Sequence, residues 1–228
     1  MKKVLAIVLA AMMLLSLCAC GPTQTGVNTE GMQVHDEVTG KVVIYTSMYQ
    51  DIIEALDVTL KDVFPNAEIE FFQSGTGTIQ SKVTAELESG KLGCDMLMVA
   101  EPASALELKE LGVLHPYISK EKDNLAFEYD AEGYWYPVRI SNMVLAYNPE
   151  LYTEDQVANT MEGFAYDETL KGGISMSNPL TSGTALASAV ALRAKYGYEY
   201  FDALAAQEVM VESGSVALTK LETGEGKE

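Results

Sequence analysis

Basic residues are scarce in this sequence of 228 residues, where 15 lysines and arginines stand against 33 aspartates and glutamates, a formal net charge of -18. Such an acidic surface repels nucleic-acid phosphates and anionic lipid headgroups, so the composition argues against a nucleic-acid partner. Cysteine is scarce too, which argues against a disulfide framework. Of the three cysteines, only Cys94 lies in the body of the chain. We expect it to be a small buried residue in a strand, with a reactive thiol or metal ligand as the alternatives.

Common catalytic motifs are absent as well. The sequence contains no GxSxG, HExxH, P-loop or CxxC pattern, which argues modestly against an enzyme. Hydrophobic residues nevertheless make up 48% of the chain, enough to bury a core in one or two domains.

The N-terminus has the pattern of an export signal. Lys2 and Lys3 precede an apolar run over residues 4–17, which is too short to span a bilayer comfortably. The following Leu-Cys-Ala-Cys resembles the lipobox of bacterial lipoproteins. That resemblance implies a signal peptide over residues 1–19, a lipidated Cys20 and a protein held at the extracytoplasmic face of the membrane. The alternative is an ordinary signal peptide with incidental cysteines. Residues 20–40 then read as a flexible tether in which His35 is solvated.

The body alternates between strand and helix patterns. Apolar β-branched runs predict strands, and apolar residues at helical spacing predict helices. The first half follows the order strand 42–47, helix 49–63, strand 68–72, a helix after residues 74–77, strand 94–99 and helix 103–111. Residues 134–138 and 143–147 look extended, and the predicted order then continues with strand 173–177, helices 184–196 and 200–206, strand 209–211 and a helix over 215–223. This alternation predicts βαβ units and parallel sheets.

The order of these segments resembles a known family. The matching stretches include VVIYTS, FFQSGTGTIQSKVTAELESG, CDMLMVAEP, GYWYPVRISNMVLAYNPELY and GGISMSNPLTSGTALASAVALRAKYG. They are similar to bacterial extracellular solute-binding proteins of ABC transporters, of the iron(III), phosphonate, thiamine or polyamine type. The resemblance implies an α/β, periplasmic-binding-protein-like fold (type II) with two lobes and parallel-rich sheets. We expect the first lobe over residues 41–140 and an incomplete second lobe over residues 141–228, as in a fragment or a truncated gene.

Candidate ligand-binding residues follow from where parallel strands end. Ligands bind at the carboxyl ends of the strands in open α/β sheets. We add the starts of two predicted helices and one cation, Arg139, which lies beside the expected boundary between the lobes. The candidate residues are Ser47, Met48, Ser74, Gly75, Thr76, Gly77, Glu101, Arg139, Thr181, Ser182, Gly183 and Thr184.

The loops 74–77 and 181–184 share one composition, because both place glycine and small hydroxyl residues at the start of a predicted helix. Free backbone N–H groups and the helix dipole there suit an anion, whereas the simpler alternative is ordinary N-capping by serine or threonine. Arg139 could bind an anion bidentately or form an ordinary salt bridge. Glu101 could face an ammonium group or cap the third helix.

Two further sets of residues leave alternatives open. Tyr45, Tyr49, Trp135 and Tyr136 could form an aromatic wall for a ligand, or belong to the core. Family members that bind iron use a tyrosine pair, and this sequence has no adjacent tyrosines, so we predict no metal site and no cofactor.

The sequence therefore predicts a solute-binding lipoprotein, not an enzyme, that delivers a small ligand to the permease of an ABC importer. An anion such as a phosphonate or phosphorylated compound is the first choice. The alternatives are an iron(III) or polyamine receptor, a sensor lipoprotein, an enzyme on the same fold, or a non-functional remnant.

Overall fold

The computed structural model describes residues 31–224, which contain twelve regular helices and strands and three short 3-10 helices. The regular elements are β1 (Gly40–Thr46), α1 (Gln50–Val63), β2 (Ala67–Gln73), α2 (Thr76–Glu88), β3 (Met96–Met98), α3 (Ala103–Glu110), α4 (Met161–Tyr166), β4 (Ser175–Ser177), α5 (Gly183–Tyr196), α6 (Glu199–Ala206), β5 (Met210–Glu212) and α7 (Gly214–Thr223). The predicted signal peptide and Cys20 lie outside the described residues and stay predictions. The α/β class is confirmed, and the predicted strands and helices occur in the expected order, with α4 as an additional helix that was not predicted.

The strands form two sheets. The first has three strands in the order β2-β1-β3, and the second has two, β4 and β5. Strand β1 pairs in parallel with β3, with Ile44 opposite Met96, and β4 pairs in parallel with β5, with Ser175 opposite Met210. Helices connect these parallel partners, as the βαβ pattern predicted.

The described chain divides into two compact units. Unit 1 comprises residues 31–42 and 49–70, and unit 2 comprises residues 43–48 and 71–224. In unit 1, the buried residues of α1 are Ile53 and Thr59. The Thr59 hydroxyl has a hydrogen-bond partner despite its burial, because it donates to the Ala55 carbonyl at 3.0 Å. The predicted lobe boundary near residue 140 stays a prediction.

His35 differs from its expected solvated state. Its backbone N–H donates to the Val63 carbonyl at the end of α1, at 2.7 Å, and its ring stacks on Phe64 with centroids 5.6 Å apart. These contacts lie within unit 1. They arise because the last carbonyls of a helix lack intrahelical donors, so the passing backbone supplies one.

Unit 2 contains two buried apolar clusters. The first is Tyr45, Ile79, Val83 and Leu108, in which Ile79 and Val83 occupy one face of α2 at the predicted i, i+4 spacing. The second surrounds the β4–β5 sheet and comprises Phe164, Ala165, Leu170, Ile174, Tyr200 and Leu204. Each sheet therefore has its own core.

Two local expectations are wrong. Residues 134–147 form neither helix nor strand, because no described strand pairs with them. The Tyr136 hydroxyl instead donates to the Tyr117 carbonyl at 2.7 Å and accepts from the Ser119 N–H at 3.1 Å. Cys94 is half-buried and lies before β3 rather than in it, because the ladder with β1 begins at Met96. No helix in residues 31–224 is long and apolar enough to cross a membrane.

Candidate functional site

The carboxyl ends of the first sheet bring several predicted residues together within unit 2. The Ser47 N–H donates to the Met98 carbonyl at 3.0 Å, which joins the loop after β1 to β3. The Ser74 N–H donates to the Thr46 carbonyl at 3.1 Å, which joins the loop after β2 to β1. Met48 is buried, and its N–H donates to the Thr46 hydroxyl at 3.1 Å. The strand-end rule thus placed Ser47, Met48 and Ser74 at one edge.

Glu101 lies at the same edge but already has partners. Its carboxylate accepts from the Ala103 N–H at 2.6 Å and from the Ser104 N–H at 3.1 Å, so it caps the start of α3. The Gln80 amide donates to the same carboxylate at 3.4 Å. Of the two alternatives for Glu101, helix capping is the one observed. Gln80 was not predicted, although it stands four residues after Thr76 and therefore on the same side of α2.

Helix α2 begins without a side-chain cap. Its N-cap is Gly75, which has no hydroxyl or carboxylate to offer, and its first turn contains no acidic residue. Thr76 is 2% exposed, and its hydroxyl lies 3.5 Å from the Ala100 N–H. The first N–H groups of α2 therefore depend on acceptors from elsewhere.

Helix α5 begins differently, because its own loop caps it. The hydroxyl of Ser182 accepts from the Ala185 N–H at 3.4 Å and lies 3.1 Å from the Thr184 hydroxyl. The side-chain oxygen of Asn178 accepts from the Leu180 N–H at 2.9 Å, and its carbonyl accepts from the Ser182 N–H at 2.9 Å. For α5, the simpler capping interpretation is correct, and its first turn also lacks an acid.

The two loops touch each other within unit 2. The Gly77 N–H donates to the Thr181 carbonyl at 3.3 Å. A Cβ added to Gly75 would lie 2.6 Å from that same oxygen, and one added to Gly183 would lie 2.8 Å from the Thr76 hydroxyl. None of these glycines has a positive φ, so glycine is required there for space and not for backbone conformation. The structure thus brings together Gly75, Thr76, Gly77, Thr181, Ser182, Gly183 and Thr184.

A shallow, open groove of about 520 Å³ runs beside this contact. One face of α2 lines most of it, and Leu180 lies at its edge, so its lining residues are Gly77, Gln80, Ser81, Thr84, Ala85, Glu88 and Leu180.

Arg139 is not gathered into this site. It is exposed, and no ion pair joins it to another residue in the 31–224 range, so the expected salt bridge is not formed and anion binding by Arg139 stays a prediction. Within that range, no group of three or more histidines, cysteines, aspartates or glutamates could hold a metal ion.

The four aromatic candidates do not form one wall. Tyr45 is 4% exposed, and its hydroxyl donates to Glu86 at 2.9 Å, whereas Tyr49 is 64% exposed. Tyr136 stacks on Tyr129, and the buried indole nitrogen of Trp135 has no hydrogen-bond partner among the described residues. Tyr45 is therefore a core residue, as the alternative stated.

Burial is the main cause and the nearby carboxylates of Glu86 and Asp95 are the next, and together they raise the pKa of the Cys94 thiol to about 11. A thiol that keeps its proton at neutral pH is a poor nucleophile. The structure therefore gives Cys94 the character of a packing residue.

Comparison with known proteins identifies the family. The model of the family described as "Bacterial extracellular solute-binding protein" matches residues 36–225. The chain belongs to this family. Its α/β architecture is that of the periplasmic binding proteins, and the family is one of extracytoplasmic receptors that bind solutes. No curated protein matches the chain in sequence.

Three solved structures illustrate the fold. Iron-bound HitA from Pseudomonas aeruginosa is 21% identical, with a TM-score of 0.69 over 82% of this chain and 61% of that one. AfuA from Actinobacillus pleuropneumoniae, with fructose-6-phosphate bound, is 22% identical, with a TM-score of 0.65 over 83% and 62%. An ABC-transporter substrate-binding protein from Agrobacterium tumefaciens is 16% identical, with a TM-score of 0.62 over 86% and 60%. The present chain thus spans about 60% of the length of these proteins.

Proposed function

We propose that this chain captures a small anionic solute, of the phosphate or phosphonate type, for an ABC importer. The observation that carries the proposal is the meeting of two helix N-termini, α2 and α5, neither with an acidic residue in its first turn. In a chain with a net charge of -18, neither of these first helical turns carries a carboxylate of its own. Both helix dipoles favour negative charge there.

The contacts favour an anion over the other ligand classes. A polyamine needs carboxylates, and Glu101, the acidic candidate at this edge, already accepts two backbone hydrogen bonds. Family members that bind iron use a tyrosine pair, and this sequence has no adjacent tyrosines. Residues 31–224 also contain no group of histidines, cysteines, aspartates or glutamates that could hold a metal ion. The fructose-6-phosphate bound to AfuA shows that the fold is compatible with a phosphorylated ligand.

The proposal includes membrane anchoring by a lipid on Cys20, which would hold the receptor near its permease. Replacing Cys20 with alanine should move the full-length protein from the membrane fraction to the soluble fraction after export. If Cys20→Ala stays in the membrane fraction, the anchor lies elsewhere.

Titration calorimetry of the full chain tests the ligand class, with inorganic phosphate, spermidine and ferric citrate as probes. We expect heat of binding with phosphate and none with spermidine. Ser74→Leu should weaken phosphate binding at least tenfold, because it places a bulky group at the strand ends beside α2. Ser89→Leu, the same substitution at the other end of α2, is the control. Equal affinities for both variants would refute the site.

A further inference from the structure

One stretch of unit 2 leaves its backbone unpaired. Residues 135–148 contain no helix, strand, turn or bend, so the chain runs through them without a sharp change of direction. No backbone hydrogen bond joins residues 137–147 to another described backbone group. An exposed backbone with unpaired N–H and C=O groups is a template on which a further strand can form hydrogen bonds.

The side chains of this stretch differ between even and odd positions. Five exposed side chains stand at successive even positions, and they are Val138, Ile140, Asn142, Val144 and Ala146. The three β-branched residues among them are 67%, 56% and 72% exposed. Leu145, at an odd position, is partly buried and packs against the core around Tyr200. Because side chains alternate between two faces along an extended chain, the even positions form one outward and mostly apolar face.

Charge indicates which partner this face fits. The chain has a net charge of -18, yet residues 133–149 contain no aspartate or glutamate and one charged side chain, Arg139. Two copies of such an acidic chain repel each other over most of their surface, and the repulsion is least where carboxylates are absent. The apolar even face is therefore a place where a second copy can approach.

The order of the side chains on this face is the same in both directions. Two apolar residues precede Asn142 at even positions, and two follow it. In an antiparallel pair with a twofold axis at Asn142, Ile140 of one copy stands opposite Val144 of the second copy, and Val138 stands opposite Ala146. Apolar side chains that stand directly opposite each other stabilise such a pair. The face is therefore complementary to itself.

We propose that residues 138–146 are a homodimer edge, at which two copies of this chain pair as antiparallel strands about a twofold axis at Asn142. The pair gives hydrogen-bond partners to backbone groups that have none on the described backbone. The two Arg139 side chains then lie about 20 Å apart, farther than the ~8 Å over which physiological salt screens charges, so they do not oppose the pairing. This inference goes beyond the proposed function and does not depend on the ligand.

Sedimentation equilibrium of the full chain at several concentrations tests the dimer. We expect a reversible dimer in the wild type. Ile140→Lys and Val144→Lys should each raise its dissociation constant at least tenfold, because lysine opposes the pairing of edge strands and each substitution enters the dimer twice. Val190→Lys, at a 60% exposed valine of α5, is the control and should leave the dimer unchanged. Circular dichroism establishes that each variant is folded.

Hydrogen exchange locates the interface. The amides of residues 138–146 should exchange rapidly in dilute protein and become protected as the concentration rises and the dimer forms. Protection that does not depend on concentration would show that another part of the same chain covers this edge, and would overturn the proposal.

Cross-linking tests the register. Asn142→Cys should give a disulfide-linked dimer on mild oxidation, because directly opposite residues of an antiparallel pair have Cα atoms about 4.5–5.5 Å apart. Val138→Cys is the matched control, since its two copies would lie about 27 Å apart, and the wild type gives the background from its own cysteines. A monomer at every concentration, a dimer that both lysine variants retain, or equal cross-linking of the two cysteine variants overturns the homodimer edge.

Discussion

Two helix starts with nearly the same composition behave differently in this protein. Helix α5 follows Asn178 and Ser182, whose side chains satisfy N–H groups of their own turn. Helix α2 follows Gly75, which has no side chain, so its Gly77 N–H bonds to the carbonyl of Thr181 from the other loop. A capped helix start has less to offer a ligand than an uncapped one, because its donors are already used.

The comparison therefore ranks the two candidate anion loops. In the proposed site, the loop 75–77 would supply donors to an anion, because its helix start has no side-chain cap, whereas the hydroxyl of Ser182 in the loop 181–184 already accepts from the Ala185 N–H. Substitutions on the two helix starts test this ranking, beginning with the largest expected effect.

Placing a negative charge on each helix start should separate them. Thr78 is exposed in the first turn of α2, and Thr78→Asp should weaken phosphate binding about 30-fold, which corresponds to ~2 kcal/mol of repulsion at short range. Thr184→Asp on α5 should cost less, because the Ser182 hydroxyl already occupies that turn. Titration calorimetry measures both affinities.

The neutral variant Thr78→Asn is the control for shape, and its affinity should stay within about twofold of the wild type. If Thr184→Asp weakens binding more than Thr78→Asp does, α5 is the dominant anion site and the ranking is reversed.

The two helix starts also show what could be predicted from sequence. Strand ends and glycine-hydroxyl loops predicted residues that the structure brings close together, because parallel topology forces strand ends to one edge. The sequence did not show which helix start is capped by side chains of its own loop. That depends on Asn178, whose side chain accepts from the Leu180 N–H only once the turn has formed. The hydrogen bond from Gln80 to Glu101 and the exposure of Arg139 were not predicted either. Both depend on how segments that are distant in sequence pack together.

The cores of the two sheets offer a second contrast, between Tyr200 and Tyr45. Tyr200 is 0% exposed, its hydroxyl donates to the Met161 carbonyl at 2.6 Å, and burial raises its pKa to about 12. Tyr200→Phe should lower the free energy of unfolding by about 1.5 kcal/mol, because a buried hydrogen bond is lost. Tyr45→Phe should cost less, since Glu86 keeps its contacts with Lys82 and Gly93. Urea denaturation at pH 7 measures both, and a larger loss for Tyr45→Phe would contradict this order.

Removing the cap of α5 should affect stability more than binding. Ser182→Ala deletes the hydroxyl that accepts from Ala185, and we expect it to lower the free energy of unfolding by about 1 kcal/mol. The phosphate Kd should change less than about threefold, since the binding donors belong to α2. Ser188→Ala, in the middle of α5, is the matched control and should not destabilise the protein. A large loss of phosphate affinity in Ser182→Ala would show that the cap itself contacts the ligand.

The smallest effect concerns Glu86, which joins α2 to the first sheet. Its carboxylate lies 2.7 Å from Lys82 and accepts from the Gly93 N–H at 2.9 Å, and these contacts hold its pKa below the ordinary value. The pKa of a glutamate in an unfolded chain is about 4.3. Glu86 therefore stabilises the fold above that pH, and this contribution is lost as the pH falls through its lower pKa in the folded state. Glu86→Gln should therefore be less stable than the wild type at pH 7, with the difference narrowing at pH 3.

Urea midpoints at the two pH values measure this difference in stability, and Glu88→Gln, at an exposed position, is the control expected to follow the wild type. A difference that stays constant between pH 7 and pH 3 would mean that the shape of the Glu86 side chain, and not its charge, stabilises the contact between α2 and the sheet.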